Sequence, residues 1–248
     1  MRLPYEVDAD DPHAPPLGLI VLQTDETIEP EFARYFADHP SPLYVSRVPS
    51  GLEVTTHTLS DMADELTRAA SLLPGPRDYA VVGYGCTSGT AQIGADNIAR
   101  LIRDGVATPE VTEPVSALQN ACAALGVTRL GFLSPYVVEV SERLIATLAD
   151  GWITCPVFGS FDEGNETTVS HIAAQSTYDA ALTLAQKGGI DALFLSCTNL
   201  RTLDVIAKLE TETGLPVLSS NQVLAWDLAR RAEVTLPDND FGQLFRVK

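Results

Sequence analysis

The chain is short of positive charge. It has 16 Lys and Arg against 33 Asp and Glu, a formal net charge of −17 over 248 residues, and a sequence pI of about 4.4. A nucleic-acid-binding protein is expected to carry a basic stripe, and none is present. The same deficit argues against a membrane-surface partner. An anionic substrate would meet an unfavourable long-range field, so local donors would have to capture it. Long apolar runs are also missing: none approaches the ~18 residues of a membrane span. The opening stretch "MRLPYEVDADDPHAPP" is acidic and proline-bearing, with no apolar signal region. Cysteine is sparse. Cys86, Cys122, Cys155 and Cys197 form no CxxC pair, so neither a zinc knuckle nor a disulfide framework is expected. Walker and Rossmann phosphate loops are absent, and no cluster of His and carboxylates suggests a metal. The expectation is a reduced, cytoplasmic protein without metal or cofactor.

What is present supports a sizeable core: 45% of residues are hydrophobic and 20% charged. Residues 1–16 read as a loose N-terminal arm. The continuous apolar runs at 17–23 and 43–48 have strand length and suit strands covered on both faces. Leu59, Met62, Leu66, Ala69 and Leu73 fall on one face of a helix over 57–73. A strand at 79–85 precedes a helix carrying Ile93, Ile98, Leu101 and Ile102. A helix over 113–125 stops at Gly126, and a strand follows at 128–134. Val137, Val140, Leu144 and Leu148 stripe the next helix. The strand at 152–159 contains Pro156, which implies an edge or a bulge. Residues 168–187 read as helix, 191–196 as strand, 202–213 as helix, 215–219 as strand and 221–232 as a last helix.

Strands alternating with helices predict an α/β fold with parallel sheets. About eight strands fit either one barrel or two lobes. A repeat favours two lobes: "GYGCTSG" (83–89) and "LSCTN" (195–199) each place Cys-Thr-polar after a strand. The predicted architecture is two similar lobes, each a roughly four-stranded parallel sheet flanked by helices, with the active site between the lobes. The first lobe takes residues 17–112 plus 220–248, the second 113–219.

Ligands of parallel α/β sheets bind at the carboxyl ends of strands, where both Cys86 and Cys197 fall. Thr87-Ser88 and Thr198-Asn199 follow, each at the expected start of a helix. Free N–H groups there suit a carboxylate, and the dipole favours thiolate over thiol. Cys122, mid-helix among alanines, and Cys155, inside a strand, read as packing. His57 and His171 fall in helices away from both motifs and receive no catalytic assignment.

The stretches "GYGCTSG", "GFLSPY" (131–136), "GNET" (164–167) and "SCTN" (196–199) resemble those of the cofactor-independent aspartate/glutamate racemase superfamily. The resemblance is closest to the branch containing maleate cis–trans isomerase and arylmalonate decarboxylase, and spans nearly the whole chain. It implies that Cys86 and Cys197 flank the substrate from opposite faces. Thr87, Ser88, Thr198, Asn199, Tyr136 and Asn165 would hold its carboxylate oxygens. It also implies a homodimer. The decarboxylase keeps a cysteine only at the second motif, and this chain has both. The expected activity is therefore a racemase or a maleate-type isomerase acting on a small carboxylic acid. A decarboxylase and a non-catalytic metabolite-binding protein are the alternatives.

One position departs from the resemblance. After the first strand the isomerases carry an asparagine that touches substrate, whereas this chain reads "LQTDETIEPEF" (22–32), with Asp25 at the matching place. A carboxylate there repels a dicarboxylate by about 4 kcal/mol at ~4 Å and an effective dielectric near 20. Asp25 would then cap the following helix, carry a proton, or pair with a cationic group of the substrate. The same opening resembles that of the ectoine-utilisation proteins of the superfamily.

Overall fold

The computed structural model describes all residues except 7–14, 38, 40, 76, 238, 239 and 248. The first sheet holds β1 (Leu17–Leu22), β2 (Leu43–Val48), β3 (Val81–Gly85) and β4 (Glu110–Thr112). All pairs are parallel, in the order β2-β1-β3-β4. Its helices are α1 (Ile28–Tyr35), α2 (Thr56–Ser71), α3 (Thr87–Ile93) and α4 (Ala95–Gly105). Helix α5 (Pro114–Leu125) leads into the second sheet, built from β5 (Arg129–Ser134), β6 (Thr154–Ser160), β7 (Ala192–Leu195) and β8 (Val217–Ser219). Its order, β6-β5-β7-β8, repeats the first sheet strand for strand. Helices α6 (Val138–Asp150), α7 (Glu166–Ser170), α8 (Ala174–Ala185), α9 (Leu203–Thr213) and α10 (Ser220–Arg231) complete the fold.

The repeated order has a functional consequence. In each sheet the chain leaves its first strand for one neighbour and later returns to the other side. That creates a crevice at the carboxyl ends of β1 and β3, and of β5 and β7. Strand β1 is buried along its whole length, as its unbroken apolar run requires. Helix α2 buries Leu59, Met62, Leu66 and Ala69, and a Thr55–Thr58 capping box fixes its start. Gly126 ends α5 in the left-handed region, at φ 69°. Pro156 lies on an edge strand, and the β5–β6 register slips by one residue beside it. One core cluster joins Met62, Tyr84 and Cys86 of the first half to Tyr136, Val169 and Cys197 of the second. Helix α10 packs against α5, β3, β4 and α1, and also touches β8.

Three elements differ from the sequence expectation. Strand β4 has three residues, too short to mark itself, and the single helix expected after β3 is two, α3 and α4, parted at Gly94 (φ 89°). The helix expected over 168–187 is two. Helix α7 ends at Ser170, and His171 caps it at an exposed turn before α8. Residues 1–6 are exposed without regular structure, and most of the remaining N-terminal arm lies outside the described residues.

Candidate active site

Four loops at the strand ends carry the candidate residues: Asp25 follows β1, Cys86 follows β3, Tyr136 follows β5 and Cys197 follows β7. The two switch points thus contribute two side chains each.

Asp25 is 2% exposed. Its Oδ1 accepts the backbone N–H groups of Thr27 and Ile28, both at 2.8 Å, and so ties down the start of α1. Its Oδ2 is buried without a hydrogen-bond partner among the described residues.

Cys86 is the N-cap of α3, and its Sγ accepts the N–H of Gly89 at 3.2 Å. Glycine is required at 89: a Cβ there would stand 2.8 Å from both Cys86 Sγ and the Tyr84 hydroxyl. Thr87 and Ser88 form the buried first turn, as expected.

The second motif is built differently. Thr198 and Asn199 form a turn, and α9 begins only at Leu203. The expected helix start is absent because Cys197 takes φ +99°, a left-handed conformation that is costly for a residue with a Cβ. The turn is held from outside. The Cys197 N–H donates to Ser220 Oγ at 3.0 Å, and Thr87 Oγ1 donates to the same oxygen at 2.7 Å. Thr198 Oγ1 donates to the carbonyl of Gly85 at 3.3 Å. These bonds sew the two cysteine motifs together across the lobes.

Cys197 Sγ accepts the N–H of Asn199 at 3.2 Å and lies 2.9 Å from the Tyr136 hydroxyl. That hydroxyl also donates to Glu166 Oε1 at 2.7 Å, and Asn199 Nδ2 donates to Glu166 Oε2 at 2.8 Å. Asn199 Oδ1 in turn accepts the N–H of Glu26 at 2.9 Å. The amide of Asn199 is thus spent tying the loop after β1 to α7. Asn165 is half-buried, and its Oδ1 caps α7 by accepting from Thr168 N at 3.2 Å. Its neighbour Glu166 is the residue that reaches Tyr136 and Asn199.

Sequence reasoning missed Glu166, Glu31 and Ser220. Glu31 Oε1 accepts from the N–H groups of Thr202 and Leu203, and Asn221 Nδ2 donates to its Oε2. Ser219, Ser220, Asn221 and Gln222 are all fully buried. A run of four polar residues after an apolar strand was the available signal for Ser220.

The electrostatics reverse one expectation. Backbone N–H groups do lower the thiol pKa values, through Gly89 at the start of α3 for Cys86 and Asn199 of the turn for Cys197. Burial outweighs them, and Glu166 and Asp25 add repulsion. Cys86 is pushed up to about 12, and Cys197 well above its ordinary value. Burial also raises Asp25 and Glu166. Burial thus favours the thiol over the thiolate at both cysteines.

The site is closed. Cys86, Cys197, Asp25, Tyr136 and Glu166 are each no more than 5% exposed. An antiparallel bridge between Glu53 and Asn165 ties the loop before α2 to the loop before α7. A cleft of about 440 Å³ is lined by Thr27, Glu31, Arg34 and Arg201 among others, and neither cysteine lines it. His57 and His171 are exposed on the surface. Among the described residues no three His, Cys, Asp or Glu side chains are placed to hold a metal ion, and no helix is long and apolar enough to cross a membrane.

A family model for arylmalonate decarboxylase matches residues 50–245. The chain belongs to the arylmalonate decarboxylase family. It is 28% identical over 226 residues to the arylmalonate decarboxylase of Bordetella bronchiseptica, covering 88% of this chain and 90% of that protein. It is 23% identical over 251 residues to the maleate isomerase of Nocardia farcinica, covering 93% and 95%. A solved structure of a cysteine-to-serine variant of Nocardia farcinica maleate cis–trans isomerase, with a covalently bound succinylcysteine intermediate, superposes with a TM-score of 0.83 at 21% identity, over 95% of this chain and 99% of that one. A solved structure of an arylmalonate decarboxylase double mutant superposes with a TM-score of 0.82 at 26% identity, over 94% of this chain and 99% of that one, so the fold seen here is shared by relatives that include both a decarboxylase and an isomerase.

Proposed function

We propose that this protein is a cofactor-independent isomerase of a small carboxylic acid, with Cys86 and Cys197 as its two reacting thiols. One observation carries the reading. The thiols follow the equivalently placed strands β3 and β7 of the two sheets and belong to one buried cluster with Tyr136. Two thiols on opposite faces of a bound substrate would suit an exchange of protons. One sulfur, as its thiolate, takes the proton next to the carboxylate and leaves an enolate-like species; the other, as its thiol, returns a proton to the opposite face and becomes the thiolate. A decarboxylase needs only one thiol, to protonate the carbanion left by loss of carbon dioxide. The N–H groups opening α3, at Thr87 and Ser88, are suited to stabilise the enolate oxygens.

The Thr198 hydroxyl and the charge of Arg47 act on the Asp25 carboxyl, yet its buried Oδ2 has no hydrogen-bond partner among the described residues, which favours a substrate with a protonated nitrogen over a plain dicarboxylate. A cation supplies the missing partner, whereas a second carboxylate adds repulsion to a site already holding Asp25 and Glu166. The substrate class is therefore an amino- or amidino-bearing acid, and the reaction is exchange of the proton on its α-carbon.

Proton NMR in D₂O, with maleate and a panel of small 2-amino acids, tests this reading. Loss of an α-proton signal from an amino acid supports it. Conversion of maleate to fumarate would make Asp25 a helix cap alone and replace the substrate class. No change in any compound would contradict the enzymatic reading.

A further inference from the structure

A thiol buried away from water needs a nearby acceptor for its proton, and Cys197 has one within two hydrogen bonds. Its Sγ is 2.9 Å from the Tyr136 hydroxyl, which is 2.7 Å from Glu166 Oε1. Asn199 closes the ring: its N–H donates to Sγ at 3.2 Å and its Nδ2 to Glu166 Oε2 at 2.8 Å. All four residues are at least nine-tenths buried. Tyr136 has one proton for two acceptors. Either it donates to the Glu166 carboxylate and accepts S–H, or it donates to a Cys197 thiolate and accepts the carboxyl O–H of Glu166.

We propose that Glu166 stores the proton that Cys197 gives up, with the Tyr136 hydroxyl passing it between them. The S–H bond breaks as an O–H bond forms on Tyr136, and the original Tyr136 proton moves to Glu166. The net charge of the ring does not change, so no new charge is buried when the thiolate forms. Among the described residues Cys86 has no such path. Its Sγ accepts from Gly89 and neighbours Tyr84, whose hydroxyl points on to Met62 Sδ at 3.7 Å. This asymmetry assigns proton removal to Cys197 and proton return to Cys86 in the resting enzyme. Glu166 is a positioning residue, since it acts through Tyr136. The other ionisable groups acting on Glu166 and the two thiols include Asp25, and each thiol feels the charge of Glu166.

The inference rests on Cys197 being a reacting thiol, yet its test needs no substrate and fails separately from the proposed function. Full-length protein is treated with iodoacetamide at pH 7, and modification of each cysteine is followed by peptide mass spectrometry. In the unaltered protein Cys197 reacts faster than Cys86. Glu166→Gln lowers the Cys197 to Cys86 rate ratio about tenfold or more, and Tyr136→Phe does the same without altering the carboxylate. Glu166→Asp retains most of the Cys197 rate. A merely repulsive charge predicts the opposite, because neutral Gln would ease thiolate formation and speed Cys197. A loosened site would speed both cysteines. Faster or unchanged Cys197 in Glu166→Gln overturns the proposal, as does an inert Cys197 beside a reactive Cys86 in the unaltered protein.

Discussion

The backbone N–H of Cys197 donates to Ser220 Oγ at 3.0 Å, so a residue held at φ +99° is anchored by the first residue of α10. Thr87 donates to the same oxygen. Ser220 therefore sets the spacing of the two cysteine motifs without being part of either.

Ser220→Ala removes this anchor and leaves the Cys197 N–H and the Thr87 hydroxyl unpaired in a dry interior. The expected loss of stability is about 2–4 kcal/mol, from the cost of stranding buried donors. Urea unfolding measures it. Turnover is expected to fall further than the loss of folded protein explains, because the Cys197 turn is released.

Asn199→Ala cuts the tie between the loop after β1 and α7, since one amide serves Glu26, Thr24 and Glu166. Amide hydrogen exchange at residues 24–28 and 165–169 is expected to rise by about tenfold or more, while β3 and β7 stay protected. Unchanged exchange in both loops would mean that other contacts close the site.

Asp25→Asn separates stability from function. Burial holds the Asp25 carboxyl above its ordinary value near 3.8. The folded state thus binds the proton more tightly than the unfolded state. This contribution favours folding at low pH and is lost as pH rises through the folded value. Asparagine keeps the Oδ1 bonds to Thr27 and Ile28 and avoids that loss. The variant is expected to gain about 1–2 kcal/mol at pH 7, with a smaller gain near pH 4. Thermal unfolding at the two pH values checks the sign. Turnover of an amino-bearing substrate is expected to drop by at least about tenfold, a stability–activity trade.

Much of this was legible in the sequence because the strands before Asp25, Cys86, Tyr136 and Cys197 are buried on both faces and read as plain apolar runs. The paired Cys-Thr motifs placed the thiols at their ends. Glu31 and Glu166 escaped notice because glutamate is rarely buried unless its partners are known, and those partners come from distant segments. The turn at Thr198 was equally hidden, since its left-handed cysteine depends on a serine 23 residues onward. Helix α1 begins Ile-Glu-Pro-Glu, with Glu31 facing inward to Asn221, so its polar pattern concealed a buried face.

Cys86 gives a second handle on pH. Its thiol is pushed up to about 12, mainly by burial. Its thiolate fraction, and hence its alkylation rate, is expected to climb about tenfold per pH unit from pH 6 to 9 without a plateau. A plateau below pH 9 would mean that the thiol is activated rather than suppressed in the resting protein.

The central claim is that both thiols act on one substrate, and single-cysteine variants test it most directly. Proton NMR in D₂O would follow each enantiomer of a responsive amino-bearing acid with Cys86→Ala and with Cys197→Ala. The account predicts that interconversion of enantiomers is lost in both variants, by at least about a thousandfold in rate, in keeping with removal of a catalytic acid or base. Full interconversion by either variant would contradict it.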